Sequence, residues 1–311
     1  MASLREMRLH IRSVRNISQV TRALQTVSAS KVRRAQAAVI ATRPYANKAL
    51  EVLDHLADRR STILHPMLVP QKRSGGMLVI VVSGDRGLAG AYNAAVVRES
   101  LLRFAGEAAP VHYIVIGRKG REMLQRAGVP ITAEFSRLPA APAYGDVSAI
   151  GRLAIEEYTG GKADQVFIVF TKFINMMQQR TTVQQLLPVP DLFPPAQAQP
   201  EGSAARPKSA APGYIFEPGQ TQLLDFVINR LVSLEIYECI LESLASEHAA
   251  RMVMMRNATD NAVELITGLQ LVYNKMRQQN ITGDLLDIAA GTEALSASTK
   301  HTKEDRKDTK I

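Results

Sequence analysis

The sequence predicts an α/β protein: a long antiparallel coiled coil of the N- and C-terminal helices, joined through a central α/β domain. Three observations lead there. Both ends are rich in Ala, Leu, Arg, Gln and Met, which are good helix formers. At both ends apolar residues recur by threes and fours, whereas the middle holds short β-branched runs separated by helical stretches.

The N-terminal helix is expected over residues 1–60. From Ser3 to about Arg60 there is no glycine, and the only proline is Pro44. Leu4, Met7, Ile11, Val14, Ile17, Val20, Leu24 and Val27 mark one buried face. Arginines 5, 8, 12, 15 and 22 repeat one position on and flank it. Pro44 removes one backbone hydrogen bond, but Tyr45 to Leu56 resumes the pattern, so a kinked continuation is expected.

The central domain is expected over 75–190. MLVIVVS (77–83), VHYIVIG (111–117) and QVFIVFTKF (165–173) suit buried parallel strands, and TTVQQLLPV (181–189) suits an edge strand. Helical stretches near 89–105, 118–127 and 146–158 alternate with them, which makes a βαβ arrangement of Rossmann-like kind. Residues 191–213, DLFPPAQAQPEGSAARPKSAAPG, read as a flexible Pro/Ala-rich insertion.

The C-terminal helix is expected over 218–292. Its seam runs Val227, Leu231, Leu234, Glu238, Leu241, Ala245, His248, Met252, Met255, Thr259, Ala262, Ile266, Leu269, Tyr273, Met276. Unbroken steps of four and three mean a left-handed coiled coil. Such a helix is on the order of 100 Å long, more than a globular domain of this size encloses, so the N-terminal helix is its simplest partner. Glu238, His248 and Thr259 are polar interruptions that fix register, and His248 is expected to be partly solvated. The charged, non-periodic tail, 293–311, is expected to be disordered.

The charge is +9 and the pI about 9.7, which implies an anionic partner without naming it. For the basic stripe three readings stand side by side: a solvated flank of the coiled coil, a face for an acidic protein, or a track for a phosphate backbone. Residues 1–44 carry no aromatic to stack on bases. The single Cys239 sits in an apolar helical run and reads as a packed thiol. The longest apolar run, Met77 to Val82, is far short of the roughly 20 residues a membrane span needs.

Catalytic, cofactor and metal sites are not expected. SGDRGLAG (83–90) follows the first strand but has neither GxGxxG spacing nor a Gly-Lys-Ser/Thr, so it reads as a tight turn with Arg86 held by local hydrogen bonds. HExxH, GxSxG and CxxC are absent, and Glu156 and Glu157, adjacent on a helix, point about 100° apart.

Three blocks carry a resemblance. IRSVRNISQVTRALQTVSASKVRRAQ (11–36) resembles the opening helix of the gamma subunits of rotary F-type ATP synthases. SGDRGLAGAYN is similar to that family's S-D-R-G-L-C-G loop, with Ala89 in place of the Cys. ESLASEHAARMVMMRNATDNAVELITGLQLVYNKMRQQNITGDLLDI (242–288) resembles its A-S-E-x-x-A-R-M-x-x-M-x-x-A-T-D-N-A and Y-N-K-x-R-Q-x-x-I-T stretches. The resemblance implies a non-catalytic central rotor shaft that carries rotation of a proton-driven membrane ring to the catalytic subunits. Its implied partners are the alpha and beta subunits, the epsilon subunit and the c-subunit ring, with no nucleic acid, no cofactor, and membrane contact only through the c ring.

Carried over residue by residue, Arg277, Gln278 and Thr282 match positions that hydrogen-bond a catalytic subunit. Lys31, Arg33 and Arg34 would face acidic loops of the catalytic subunits. The family's chloroplast cysteine pair is missing, so redox control is not expected. The absence of an import sequence favours the cytoplasmic face of a bacterial membrane. The alternative function is a basic coiled-coil nucleic-acid-binding or scaffold protein.

Overall fold

A computed structural model describes residues 3–56, 65–68, 75–189 and 219–308. The order of elements is α1 (Leu4–Leu56), β1 (Gly76–Val82), α2 (Tyr92–Phe104), β2 (Val111–Ile116), α3 (Arg118–Arg126), β3 (Ile131–Phe135), α4 (Tyr144–Thr159), β4 (Ala163–Phe173), β5 (Gln179–Leu187) and α5 (Gln220–Asp308). The chain divides into two compact units, Leu24–Met255 and Met1–Ala23 with Arg256–Ile311.

The larger unit is built on one sheet in the order β3-β2-β1-β4-β5. β1 pairs in parallel with both β2 and β4, β2 in parallel with β3, and β5 closes one edge antiparallel to β4. Alternation along β1 divides the core into two layers. Leu78, Ile80 and Val82 face α4 and the apolar residues of α5 between Leu224 and Leu241. Val79 and Val81 face the opposite layer, with Val96, Val97 and Phe104 of α2 and Leu124 of α3. Ile80, Ile114 and Ile168 are fully buried on three adjacent strands, each stabilising the fold by about 1.5–3 kcal/mol.

The predicted strands and helices of the central domain are all present, with ends shifted by a few residues. β3 was not predicted. Its ITAEF has only half-buried inward positions at the sheet edge, so no apolar run announces it. Pro44 lies inside α1, which continues through it. The insertion at 191–213 lies outside the described residues.

Two expectations need correction. The helix does not stop at 292: α5 is continuous to Asp308, through the stretch expected to be disordered. After Gly291 that stretch has no glycine or proline, and Ala, Lys and Glu all tolerate a helix. On α1, Ile17, Val20 and Val27 are not in the buried face; they are 53%, 59% and 51% exposed.

The buried stripe of α1 holds Ile11, Val14, Thr21, Ser28, Val32 and Ala35, which is strict heptad spacing. Following apolarity alone steps off this register after Val14, because the seam takes small polar residues where the next apolar residue is one position away. Hydrogen bonds make this tolerable: Thr21 Oγ1 donates to the carbonyl of Ser18, and Ser28 Oγ to that of Leu24. On α5 every predicted seam position from Val227 to Met276 is buried or half-buried.

In the smaller unit the two helices run antiparallel. Arg8 Nε donates to the Tyr273 hydroxyl at 2.6 Å, and Thr21 and Thr259 share a hydrogen bond of 2.7 Å across the seam. The polar interruption expected at Thr259 therefore has a matching polar partner.

Candidate functional site

The carboxyl ends of β1 and β4 are where α5 is fastened to the sheet. Ser243 and Ser246 lie three apart on one face of the helix. Ser243 Oγ shares a hydrogen bond of 2.7 Å with the Tyr92 hydroxyl, and Ser246 Oγ donates to the Thr171 carbonyl at 2.9 Å. Tyr92 is buried, and loss of solvation raises its phenol well above the usual range, so it stays a neutral donor.

One turn further on, Glu247 and Arg251 form a buried ion pair at i,i+4. The Arg251 guanidinium also donates from Nε to the Gly87 carbonyl at 3.2 Å, from Nη2 to the Arg86 carbonyl at 3.3 Å, and from Nη1 to His248 Nδ1 at 3.3 Å. One side chain thus joins the helix to the loop after β1. Burial raises the Glu247 carboxyl, and Arg251 beside it works the other way. Gly84 is required by this packing, since a Cβ there would stand 2.7 Å from Glu247 Oε1.

The loop 83–90 is a tight turn, as expected, but Arg86 is not held by its side chain. Its carbonyl is the fixed group, accepting from Asn93 Nδ2 and from Arg251, while the residue as a whole is exposed. Asp85 organises the rest. Its two carboxylate oxygens accept from the backbone N–H of Arg118 (3.1 Å) and of Arg137 (2.7 Å). The second bond holds Arg137 at a φ of 63°, a left-handed conformation unusual for a side chain of this size. Ser83 Oγ accepts from the N–H of Gly120 while donating to the Ile116 carbonyl.

His248 corrects another expectation. It is 5% exposed, not partly solvated. Burial, then Arg251 and Lys31, push its pKa down to about 4, so it is neutral at physiological pH. Lys31 is half-buried, whereas Arg33 and Arg34 are exposed on α1. Arg277, Gln278 and Thr282 are exposed in the smaller unit. Cys239 is a buried free thiol whose pKa is raised by burial and by the neighbouring Glu235, Glu242 and Glu238. Glu156 and Glu157 engage different partners, Arg152 and Lys162.

Reasoning from pattern did not single out Tyr92, Ser243, Ser246, Glu247 or Arg251. The signal was present in SEHAAR, where glutamate precedes arginine by four positions, the favourable order on a helix. Among the described residues no helix is long and apolar enough to cross a membrane, and no group of three His, Cys, Asp or Glu is placed to hold a metal.

Comparison with known proteins agrees with this architecture. A protein-family model described as ATP synthase matches residues 3–295. The ATP synthase gamma chain of Roseiflexus sp. is 41% identical over 304 residues, covering 95% of this chain and 99% of the relative. That of Dehalococcoides mccartyi is 41% identical over 301 residues, covering 95% and 100%. In fold, the chain is similar to one in the Euglena gracilis mitochondrial ATP synthase (OSCP/F1/c-ring), with a TM-score of 0.64, 19% identity and 96% of each chain covered. It is also similar to a chain of the Tetrahymena thermophila mitochondrial ATP synthase central stalk and c-ring, with a TM-score of 0.57, 23% identity, and coverage of 77% of this chain and 99% of that one.

Proposed function

The chain belongs to the ATP synthase gamma-chain family, and from that premise we propose that it is the central rotor shaft of the complex, carrying rotation of the proton-driven membrane ring to the catalytic subunits. The full-length match to gamma chains carries this reading. The alternative, a nucleic-acid-binding or scaffold protein, finds no support among these relatives.

The chain transmits torque and does not itself catalyse ATP formation. Its seam and its anchor suit that work. A helix pair locked by Thr21 and Thr259 resists sliding. A helix fastened to a sheet through Ser243, Ser246 and Arg251 hands a turning force from one to the other. The partners are the alpha and beta subunits, the epsilon subunit and the c-subunit ring. The protein is peripheral, on the cytoplasmic face of a bacterial membrane, and meets the bilayer only through the ring.

The test is copurification. A tagged chain expressed in its own cell should bring down the ATPase subunits from solubilised membranes, and recovery of the chain alone or with nucleic acid would overturn the assignment. For the contact surface we take Lys31, Arg33 and Arg34 to face acidic loops of the catalytic subunits, and Arg277, Gln278 and Thr282 to hydrogen-bond one of them. Reversing the charge of the first three should lower ATP-driven proton pumping by several-fold while uncoupled ATP hydrolysis persists. Unchanged pumping would remove them from the interface.

A further inference from the structure

A cavity of about 420 Å³ opens over the carboxyl ends of β1 and β2, within the larger unit and beside the anchor formed by Tyr92, Glu247 and Arg251. That volume is in the range small ligands occupy, and the carboxyl edge of a parallel sheet is where they enter. Its lining is cationic in excess. Arg251 is neutralised by Glu247, and Arg118 is partly offset by Asp85 at 3.7 Å. Lys31, Arg86 and Arg137 also line it, and none of the three makes an ion pair within 4 Å among the described residues.

A second observation is independent of charge. A guanidinium can only donate, so His248 Nδ1 accepts from Arg251, and the neutral ring then carries its proton on Nε2. That Nε2–H is shielded from solvent and has no acceptor among the described residues, although His248 lines the cavity and is 5% exposed, so an acceptor reaches it with a small shift of the ring or of the cavity wall. Buried donors without acceptors are uncommon, and a water or a ligand oxygen is the usual partner they take.

We propose that this cavity binds a small phosphate-bearing anion, its oxygens meeting Arg86, Arg137 and Lys31 and accepting from His248 Nε2. The mode differs from a glycine-rich phosphate cradle. The N–H groups that open α3 are already taken by Asp85, Gly84 and Ser83, so side chains supply the recognition. A diphosphate group meets the requirement for several acceptors at once better than a single carboxylate does.

The experiment titrates the complete chain with pyrophosphate and, separately, with ADP by calorimetry at constant ionic strength, and follows the His248 ring nitrogens by NMR. Saturable binding of either ligand with a shift at Nε2 is expected. Comparable affinity for both places recognition in the diphosphate, and tighter ADP binding would mean that the diphosphate arrives on a nucleoside. Arg86→Gln and Arg137→Gln, both at exposed positions, should each weaken binding by about tenfold or more, as loss of a charged hydrogen bond implies. Arg98→Gln on α2 should leave it unchanged. Absence of saturation, an unmoved Nε2 signal, or equal losses in the Arg98 variant would overturn the site. So would tighter binding of an acidic peptide with the same dependence on Arg86 and Arg137, which would make the cavity a protein-docking surface.

Discussion

A single helix, α5, passes through two different environments, and the contrast shows what each part of the molecule must get from elsewhere. Between Leu224 and Met255 it is buried on most sides, against the sheet and α4, with even small side chains such as Ala245, Ser246 and Ala249 out of contact with solvent. From Arg256 onward, among the described residues, only Ala262 and Tyr273 are buried, and Val263, Leu265, Leu271, Ile281, Leu285 and Leu286 are exposed. The first stretch completes its own core. The second leaves apolar surface that a two-helix pair cannot cover, which is the condition of a helix meant to be enclosed by other chains.

Breaking the anchor in the first stretch should have the largest effect. Arg251→Ala leaves Glu247 as an uncompensated buried carboxylate and removes the guanidinium's bonds to the carbonyls of Arg86 and Gly87, so a loss of about 3–5 kcal/mol is expected. Chemical denaturation of the complete chain measures it. A loss below about 1 kcal/mol would mean that water replaces the guanidinium and that the junction is not closed.

Next comes pH. His248 is protonated more readily unfolded, at the ordinary value of 6.5, than folded, at about 4. Its contribution is therefore fully present above pH 6.5 and lost as pH falls toward 4, by about 3 kcal/mol in all. Glu247 acts in the opposite sense, because its raised folded pKa favours the folded state on the acid side. Comparing wild type with His248→Gln separates the two. The variant should lose less stability between pH 7 and pH 5 than the wild type, and parallel curves would show that His248 is hydrated.

The same contrast explains what could be read from the sequence. The seam of α5 was legible throughout, because its positions are mostly apolar and the period survives Glu238, His248 and Thr259. The seam of α1 was not, since Thr21 and Ser28 occupy it while Ile17, Val20 and Val27 sit just beside it. Apolarity marks two surfaces there, one for the partner helix and one left exposed, and a single chain's pattern does not say which is which. The anchor was hidden for another reason. Glu247 and Arg251 look like an ordinary solvated pair, and only the closing of Gly84 and the 83–90 loop over them makes them buried. The cavity brings together Lys31, Arg86, Arg137 and His248, which are as much as 217 positions apart in the chain, so no local motif could report it.

The smallest effect sharpens the comparison most, because one substitution should change sign between the two environments. Gly283 lies in the exposed part of α5, and a Cβ there meets nothing within 4 Å. Gly283→Ala should stabilise that turn by about 1 kcal/mol, the helix-propensity difference alone. Gly151 lies in α4 within the core, where a Cβ would stand 2.8 Å from Ser233 Oγ and 3.2 Å from Ser233 Cα on α5. Gly151→Ala gains the same propensity, but overpacking at helix contacts costs about 1–3 kcal/mol, so the net should be neutral to destabilising. Amide hydrogen exchange resolves the two locally: slower exchange around residue 283 in the first variant, faster exchange near Ser233 in the second. Stabilisation at both sites would mean that α4 and α5 have slack between them. Destabilisation at both would place a neighbour against Gly283 that the isolated chain does not contain.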